Sequence, residues 1–170
     1  MEGRLPSFYL PPKSIIQVID LRGVLPGNAY GERTRPTTDA IIIHHTAGPA
    51  NQTWEEIANL HLRRGYGGIG YHLGVEADGT ICQFGDLAGW RWHIAYKNDR
   101  YIGVVLKGNF TETPPPDVQL ASAHVALGWL AELGYDLPIL GHGEAADPRS
   151  PTACPGLTFT AWKSLLSQSG

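Results

Sequence analysis

The hydrophobic pattern along most of the chain predicts strands that alternate with helices. A β-branched run without polar alternation, Ala40 to His44, is typical of a strand that is covered on both faces. Tyr101 to Leu106 has the same character, and Pro138 to Gly141 predicts a shorter strand. Two further runs, Tyr71 to Val75 and Thr80 to Phe84, flank a short connection that contains Asp-Gly, which predicts a β-hairpin.

Three helices are predicted between and after these strands. The first begins at Thr53, because Thr53 and Glu56 match a capping box, in which each side chain accepts a free backbone N–H of the other residue. Its apolar positions repeat with helical spacing, and Gly65 suits the cap after it. Asp117 is expected to cap a long apolar helix that runs to about Leu133, and a final helix is expected from about Thr158 to Ser167.

Strands interspersed with helices predict an α/β fold, with a central mixed sheet and helices packed on its faces. Residues 1–37 differ from the rest because prolines and glycines interrupt them repeatedly. Within them, Ser14 to Leu21 is the one periodic piece, and it suits a short strand or a helical turn. We therefore predict a Pro/Gly-rich N-terminal extension, residues 1–37, wrapped over a single domain of residues 38–170.

The composition limits the class of protein. The chain has 170 residues, and its 13 basic and 16 acidic side chains give a net charge of −3. This length suits one domain with a sizeable core. The slightly acidic balance argues against a nucleic-acid partner, which would need clustered Lys and Arg. The longest aliphatic cluster, Ala40 to Ile43, is far shorter than the ~20 residues of a membrane span, so no membrane insertion is expected.

Cysteine and histidine are the residues that suggest chemistry. The chain has seven His and only two Cys, Cys82 and Cys154, too few for a disulfide framework. The pair His44-His45 follows the first long strand, His142 follows the Pro138 strand, and Cys154 comes twelve residues later. Two imidazoles and one thiolate leave one position of a tetrahedral Zn²⁺ open, as catalytic zinc sites do. A histidine taken alone is as often a buried structural residue.

Several short segments, taken in order, resemble one enzyme family. The segments are Ile41 to Gly48, Gly70 to His72, Asn98 with Ile102 to Leu106, Gly141-His142 and Pro151 to Gly156. The ordered set resembles the zinc-dependent N-acetylmuramoyl-L-alanine amidases of the amidase-2 family, which includes phage lysozymes of the T7 type and animal peptidoglycan recognition proteins. The likeness extends in colinear order from about residue 38 to residue 166.

The resemblance implies a ligand set and two catalytic residues. His44, His142 and Cys154 match the positions that hold one Zn²⁺ per chain. Tyr71 matches the catalytic tyrosine of the family, and Thr152 matches a position that holds Lys or Thr and assists the same step. Zinc can polarise the scissile carbonyl and activate water, and a hydroxyl donor aimed at the developing oxyanion would add to this.

The resemblance also implies residues that meet the substrate. His93 and Asn98 match a segment near the substrate, and His93 or Tyr71 could deliver the proton to the leaving amine. Trp92 could stack on a sugar ring or belong to the core. His45 occupies a variable position, which we assign either to a supporting role or to substrate contact.

One departure from the family pattern concerns the loop before the cysteine. The eleven residues between His142 and Cys154 are more than the family usually has, and they follow Gly-His-Gly-Glu rather than Gly-His-Arg. We expect a longer loop, residues 143–153, beside the site, with the three ligands kept.

The resemblance thus implies a peptidoglycan hydrolase that cleaves the amide between N-acetylmuramic acid and L-alanine. We expect a monomeric phage or prophage endolysin with peptidoglycan as its partner. The N-terminus lacks the layout of a secretory signal peptide, so residence in the host cytoplasm is expected before release onto the cell wall.

Three other functions would use some of the same residues. A non-catalytic peptidoglycan-binding protein on the same fold would typically lack the Cys ligand, so the presence of Cys154 argues against it. A thiol hydrolase would use Cys154 as its nucleophile instead of as a ligand. A zinc deaminase is suggested by His142-Gly-Glu144, but that class needs Pro-Cys-x-x-Cys downstream, which the sequence lacks.

Overall fold

The computed structural model describes residues 16–27 and 33–167, and the predictions for the remaining positions lie outside it. Its strands form one six-stranded mixed sheet in the order β1-β4-β3-β5-β2-β6. The strands are β1 (Val18–Asp20), β2 (Ala40–His45), β3 (Leu73–Val75), β4 (Ile81–Gln83), β5 (Tyr101–Leu106) and β6 (Ile139–Gly141). The helices are α1 (Trp54–Arg63), α2 (Asp117–Glu132), α3 (His142–Ala145), α4 (Phe159–Trp162) and a 3₁₀ turn at Lys163–Leu166.

The sheet is parallel except for one hairpin. β2 lies between β5 and β6 and runs parallel to both, while β3 pairs with β4 in the antiparallel sense. The predicted strands and the predicted hairpin are therefore confirmed, as is the α/β class with a central mixed sheet. All six residues of β2 are buried, as its lack of polar alternation predicted.

Successive residues of β2 point to opposite faces of the sheet, and the two faces carry different layers. Ile41 and Ile43 pack with α2 and the C-terminal α4 in the largest cluster of the core. Ile42 lies on the other face, in a small cluster with Ile94 and Ala145. Helix α1 packs against that same face of the sheet, where Val105 of β5 meets the apolar side of α1.

The first helix begins as predicted. The hydroxyl of Thr53 accepts the backbone N–H of Glu56 at 3.1 Å, and the Glu56 carboxylate accepts the backbone N–H of Thr53 at 2.8 Å. This reciprocal pair satisfies two N–H groups that an uncapped helix would leave free. The capping box is confirmed.

Three local predictions need correction. Asp117 is the first residue of α2 and does not cap it, because Pro116 occupies the N-cap position and no side chain bonds there. The predicted C-terminal helix is a short α4 followed by a 3₁₀ turn, and its second half therefore has tighter geometry than an α-helix. The loop predicted after β6 begins with a single helical turn, α3, which contains His142.

The N-terminal extension contributes to the sheet and to the interior. β1 pairs in parallel with β4 and forms one edge of the sheet. Thr34 forms an antiparallel bridge with Gly89. The Arg35 side chain is buried, and its guanidinium donates to the carbonyls of Gly89 and Tyr101 at 2.8 and 3.2 Å. Residues 33–38 are thus fixed to the domain by backbone and side-chain hydrogen bonds.

Within the described part of the chain, none of the helices has the length and apolar character needed to cross a bilayer.

Candidate active site

The two histidines of the predicted metal site come together because their strands are parallel neighbours. In the register of β2 with β6, Ile43 lies opposite Gly141, so His44 and His142 leave the sheet at the same edge. Their ring centroids are 4.7 Å apart. His44 ends on the α1 face of the sheet and is almost fully buried, with 1% of its surface exposed.

The loop after α3 returns Cys154 to this edge. The N–H of Gly143 donates to the carbonyl of Cys154 at 2.7 Å, and the N–H of His45 points at Sγ of Cys154 at 3.4 Å. As a result Sγ lies 3.7 Å from Nδ1 of His44. One ligand atom from each of His44, His142 and Cys154 lies within 4.8 Å of the other two.

The spacing and chemistry of this cluster fit Zn²⁺. Zn–N bonds of about 2.0–2.1 Å and Zn–S bonds of about 2.3 Å place the N and S atoms of a tetrahedral site about 3.6 Å apart. The observed separation between Nδ1 of His44 and Sγ of Cys154 is 3.7 Å. His142 also lines an open groove, so a molecule bound in the groove would lie next to this cluster.

Burial sets the protonation of these side chains. It lowers the pKa of His44 well below its usual value and the pKa of His142 to about 4, so both imidazoles are neutral near pH 7, which is the ligating form. Burial raises the pKa of the Cys154 thiol to about 12. A bound cation would reverse this shift, whereas a free thiolate nucleophile is disfavoured at this position.

Tyr71 and Thr152 lie beside the cluster. The ring of Tyr71 is tilted against His44, with centroids 5.1 Å apart. Burial raises the pKa of the Tyr71 phenol, which therefore keeps its proton at neutral pH. Thr152 is exposed, and its hydroxyl accepts the backbone N–H of Cys154 at 3.1 Å.

His93 and Asn98 have their polar atoms turned inward. Nδ1 of His93 lies 3.0 Å from Nε2 of His44, and Nε2 of His93 lies 3.1 Å from the carbonyl of Tyr101. The side-chain oxygen of Asn98 accepts the backbone N–H groups of His93 and Ile94, each at 2.8 Å. Both residues also border the groove, so substrate contact by either stays a prediction.

His45 lies on the opposite face of the sheet from His44. Its Nδ1 accepts the backbone N–H of Phe110 at 3.1 Å, and its ring packs at 6.1 Å from the Phe110 ring. The alternation of side chains along β2 explains this difference between adjacent histidines. Of the two roles predicted for His45, this placement favours support of the site.

A groove of about 940 Å³ includes His142 in its lining, together with four aromatic side chains, Tyr66, Trp90, Trp92 and Tyr96. Trp92 is 38% exposed and stacks on Tyr66, with centroids 5.9 Å apart and an interplanar angle of 12°. Trp90 meets Trp92 edge-on at 4.6 Å. The groove residue Tyr66 was not predicted, because it follows the end of α1 in a glycine-rich segment without a periodic pattern.

The longer loop between His142 and Cys154 packs against the groove wall. The Lys97 ammonium donates to the carbonyl of Ala145 at 2.8 Å, and the Arg149 guanidinium lies 4.0 Å from the centre of the Tyr96 ring. Ser150 of this loop lines the groove. The predicted extra loop residues therefore form part of the groove beside the metal cluster.

The family of the chain follows from comparison with family models. Residues 33–157 match the model described as N-acetylmuramoyl-L-alanine amidase. The chain belongs to this amidase family. The match includes the whole His44, His142 and Cys154 cluster as well as Tyr71 and Thr152, and the resemblance seen in the sequence is confirmed.

Two relatives of this chain illustrate the range of the family. The endolysin of Escherichia phage T7 is 31% identical over 141 residues, which cover 76% of this chain and 88% of the endolysin. Peptidoglycan-recognition protein LB of Drosophila melanogaster is 30% identical over 128 residues, which cover 68% of this chain and 53% of that protein. The chain therefore spans about half the length of the Drosophila protein.

Solved structures of amidase-family proteins share the fold. The endolysin N-acetylmuramoyl-L-alanine amidase LysCS from Clostridium intestinale matches with a TM-score of 0.75 at 25% identity, covering 93% of this chain and 100% of that chain. A mutant of Drosophila PGRP-LB in complex with tracheal cytotoxin matches with a TM-score of 0.70 at 25% identity, covering 89% of this chain and 97% of that chain.

Proposed function

We propose that the protein is a zinc-dependent amidase that hydrolyses the bond between N-acetylmuramic acid and the L-alanine of the peptidoglycan stem. The observation that carries the proposal is the cluster of His44, His142 and Cys154, whose ligand atoms lie within 4.8 Å of one another at the end of an open groove. Membership of the amidase family supports the choice of bond. A non-catalytic binding role would not require this set of two imidazoles and one thiol.

His44, His142 and Cys154 would hold one Zn²⁺. When bound there, Zn²⁺ supplies a Lewis acid for the scissile carbonyl and lowers the pKa of a bound water to roughly 7. The two neutral histidines and one thiolate leave a net positive charge on the centre.

Tyr71 would stabilise the oxyanion that develops on the carbonyl oxygen. Its phenol is neutral and therefore a donor, because burial raises its pKa, and its ring is fixed against His44 at 5.1 Å. A preorganised donor of this kind contributes ~3–4 kcal/mol to transition-state stabilisation. Thr152 has its hydroxyl two residues from Cys154, where it would assist by orienting water or the carbonyl oxygen.

Tyr71 is also the better donor of a proton to the leaving amine. The alternative, His93, has one ring nitrogen against His44 at 3.0 Å and the other against the carbonyl of Tyr101 at 3.1 Å. Neither nitrogen is free to reach a substrate in the groove. Proton delivery by Tyr71 through one water, with the phenol taking back the proton that the attacking water releases, therefore fits the geometry better.

The groove would bind the muramoyl peptide. Trp92 and Tyr66 present stacked aromatic faces of the kind that pack on the apolar face of a sugar ring, and His142 of the metal cluster lines the same groove. The complex of a PGRP-LB mutant with tracheal cytotoxin and the phage endolysin relatives support peptidoglycan as the partner. The match to the T7 endolysin covers 88% of that protein. This supports a role for the present chain as a phage or prophage endolysin that reaches the wall from the host cytoplasm.

Mass spectrometry of the products released from purified peptidoglycan tests the proposal. We expect free L-alanine-terminated stem peptides, no release after treatment with a zinc chelator, and recovery when zinc is added. Binding to peptidoglycan without release of stem peptides would instead indicate a non-catalytic recognition protein. Release that is unaffected by the chelator would instead support Cys154 as a nucleophile.

A further inference from the structure

A chain of hydrogen bonds begins at the backbone of β5 and ends at the metal cluster. The carbonyl oxygen of Tyr101 can only accept, and Nε2 of His93 lies 3.1 Å from it. Nε2 of His93 must therefore carry the proton of the neutral ring. Its Nδ1 is then left with a lone pair, which faces Nε2 of His44 at 3.0 Å.

This arrangement decides which nitrogen of His44 is free. Because Nδ1 of His93 accepts, Nε2 of His44 must be the donor in the neutral pair. The proton of His44 thus resides on Nε2, and the lone pair of His44 resides on Nδ1. That nitrogen faces Sγ of Cys154 at 3.7 Å, on the metal side of the ring.

His93 is itself held rigidly. The Asn98 side-chain oxygen accepts the backbone N–H of His93 at 2.8 Å. The His93 ring lies against Gly103 of β5, where a Cβ would stand only 2.7 Å from Cγ of His93. The ring is 6% exposed and crosses the His44 ring edge-on at a centroid distance of 5.1 Å. The His93 ring can therefore be buried here only because residue 103 is a glycine.

A second side chain, that of Arg35, also donates to the carbonyl at the end of this hydrogen-bond series. The Arg35 guanidinium donates to the same Tyr101 carbonyl at 3.2 Å and to the Gly89 carbonyl at 2.8 Å. The Tyr101 oxygen thus accepts from both Arg35 and His93. The N-terminal segment is therefore connected to His44 of the metal cluster through Tyr101 and His93.

We propose that His93 is a positioning residue, which accepts from His44 and so presents the Nδ1 lone pair of His44 to the metal. The proposal rests on the proposed function for the identity of the metal as zinc. His93 then acts on zinc affinity and not by contact with substrate. Partners of this kind fix the tautomer and orientation of a metal-bound histidine, and their loss costs about 10–100-fold in metal affinity or activity.

The test compares His93→Phe with His93→Gln, using His124→Gln as the control. Phe keeps a ring but removes the acceptor, whereas the Gln amide can accept from His44 and donate to Tyr101. His124 lies on α2 with its Nδ1 at 3.1 Å from the Leu166 carbonyl. Zinc affinity, measured by competition with a chromogenic chelator, is expected to fall about 10–100-fold in His93→Phe. It should fall much less in His93→Gln and stay unchanged in His124→Gln.

A second measurement needs no variant. Nitrogen-15 NMR of zinc-free wild-type protein should show His44 protonated at Nε2 and His93 protonated at Nε2. A His44 ring protonated at Nδ1 would overturn the inference, as would His93→Phe with wild-type zinc affinity. Wild-type protein that binds no zinc would instead contradict the proposed function, and the NMR result would still decide the tautomer.

Discussion

Nδ1 of His44 and Sγ of Cys154 lie 3.7 Å apart although 110 residues separate them in the chain. His44 is the penultimate residue of the buried strand β2, whereas Cys154 lies in a loop that returns to the start of α3. The cluster therefore depends on two independent parts of the fold. Changes at either end should remove the metal without removing the sheet.

The Cys154→Ser and His142→Ala variants should lose zinc and with it all measurable amidase activity. Each removes one of three ligands, and we expect the zinc affinity to fall by more than the roughly 100-fold that a lost supporting partner can cost. Zinc content after dialysis and release of stem peptides measure the two effects. A His124→Ala control should keep both, and turnover by zinc-free Cys154→Ser protein would contradict the assignment.

Tyr71→Phe should separate metal binding from catalysis. The ring and its contact with His44 remain, so zinc content should stay at the wild-type level. The lost hydroxyl should lower kcat by about 10²–10³-fold, the usual cost of one oxyanion donor. Steady-state kinetics on a soluble muramoyl peptide, with zinc content measured on the same sample, provides the check. Unchanged turnover would show that the phenol takes no part in the reaction.

The sequence predicted those parts of the fold and site that depend on local patterns. The capping box of Thr53 and Glu56 is a local motif, and the continuous run of β2 reports burial on both faces. Two neighbouring parallel strands brought His44, near the end of β2, together with His142, which directly follows β6, as their positions in the sequence suggested. In each case the pattern that made the prediction possible lies within a short stretch of consecutive residues.

The rest depends on contacts that no local pattern encodes. Arg35 looks like an ordinary loop cation, yet it is buried against three carbonyls contributed by residues 52 to 66 positions away. The inward orientation of His93 requires Gly103, which is ten residues further on. Side-chain direction in a loop is set by such long-range packing and not by periodicity. The groove residue Tyr66 escaped prediction for the same reason.

The stability of the zinc-free protein should fall as the pH drops from about 6.5 to about 4. Burial lowers the pKa of His61 from 6.5 to about 4, and Nδ1 of His61 accepts the N–H of Gly70 at 3.0 Å. Below pH 6.5 the unfolded chain therefore binds a proton at this residue that the folded protein does not, so acid favours unfolding. At pH 5 this single group should account for a loss of about 2 kcal/mol.

Urea unfolding at pH 7.5 and pH 5 measures this contribution. His61→Asn keeps an acceptor for Gly70 but cannot titrate, so the difference in unfolding free energy between the two pH values should shrink in this variant. The remaining buried histidines will retain part of the dependence. An equal pH dependence in wild type and His61→Asn would contradict the shifted pKa of His61.

The exposed ring of Trp92 should contribute to substrate binding and not to the chemical step. Trp92 stacks on Tyr66 in the groove wall and is 38% exposed, whereas its neighbour His93 is turned inward. Trp92→Ala should raise KM for a muramoyl peptide about tenfold, which corresponds to about 1.4 kcal/mol of lost contact, and leave kcat within about threefold. Trp92→Phe keeps an aromatic face and should recover most of the affinity. A fall in kcat with unchanged KM would instead indicate that Trp92 supports His93 and the metal cluster. A loss of zinc in the same variant would show that this support acts through metal binding.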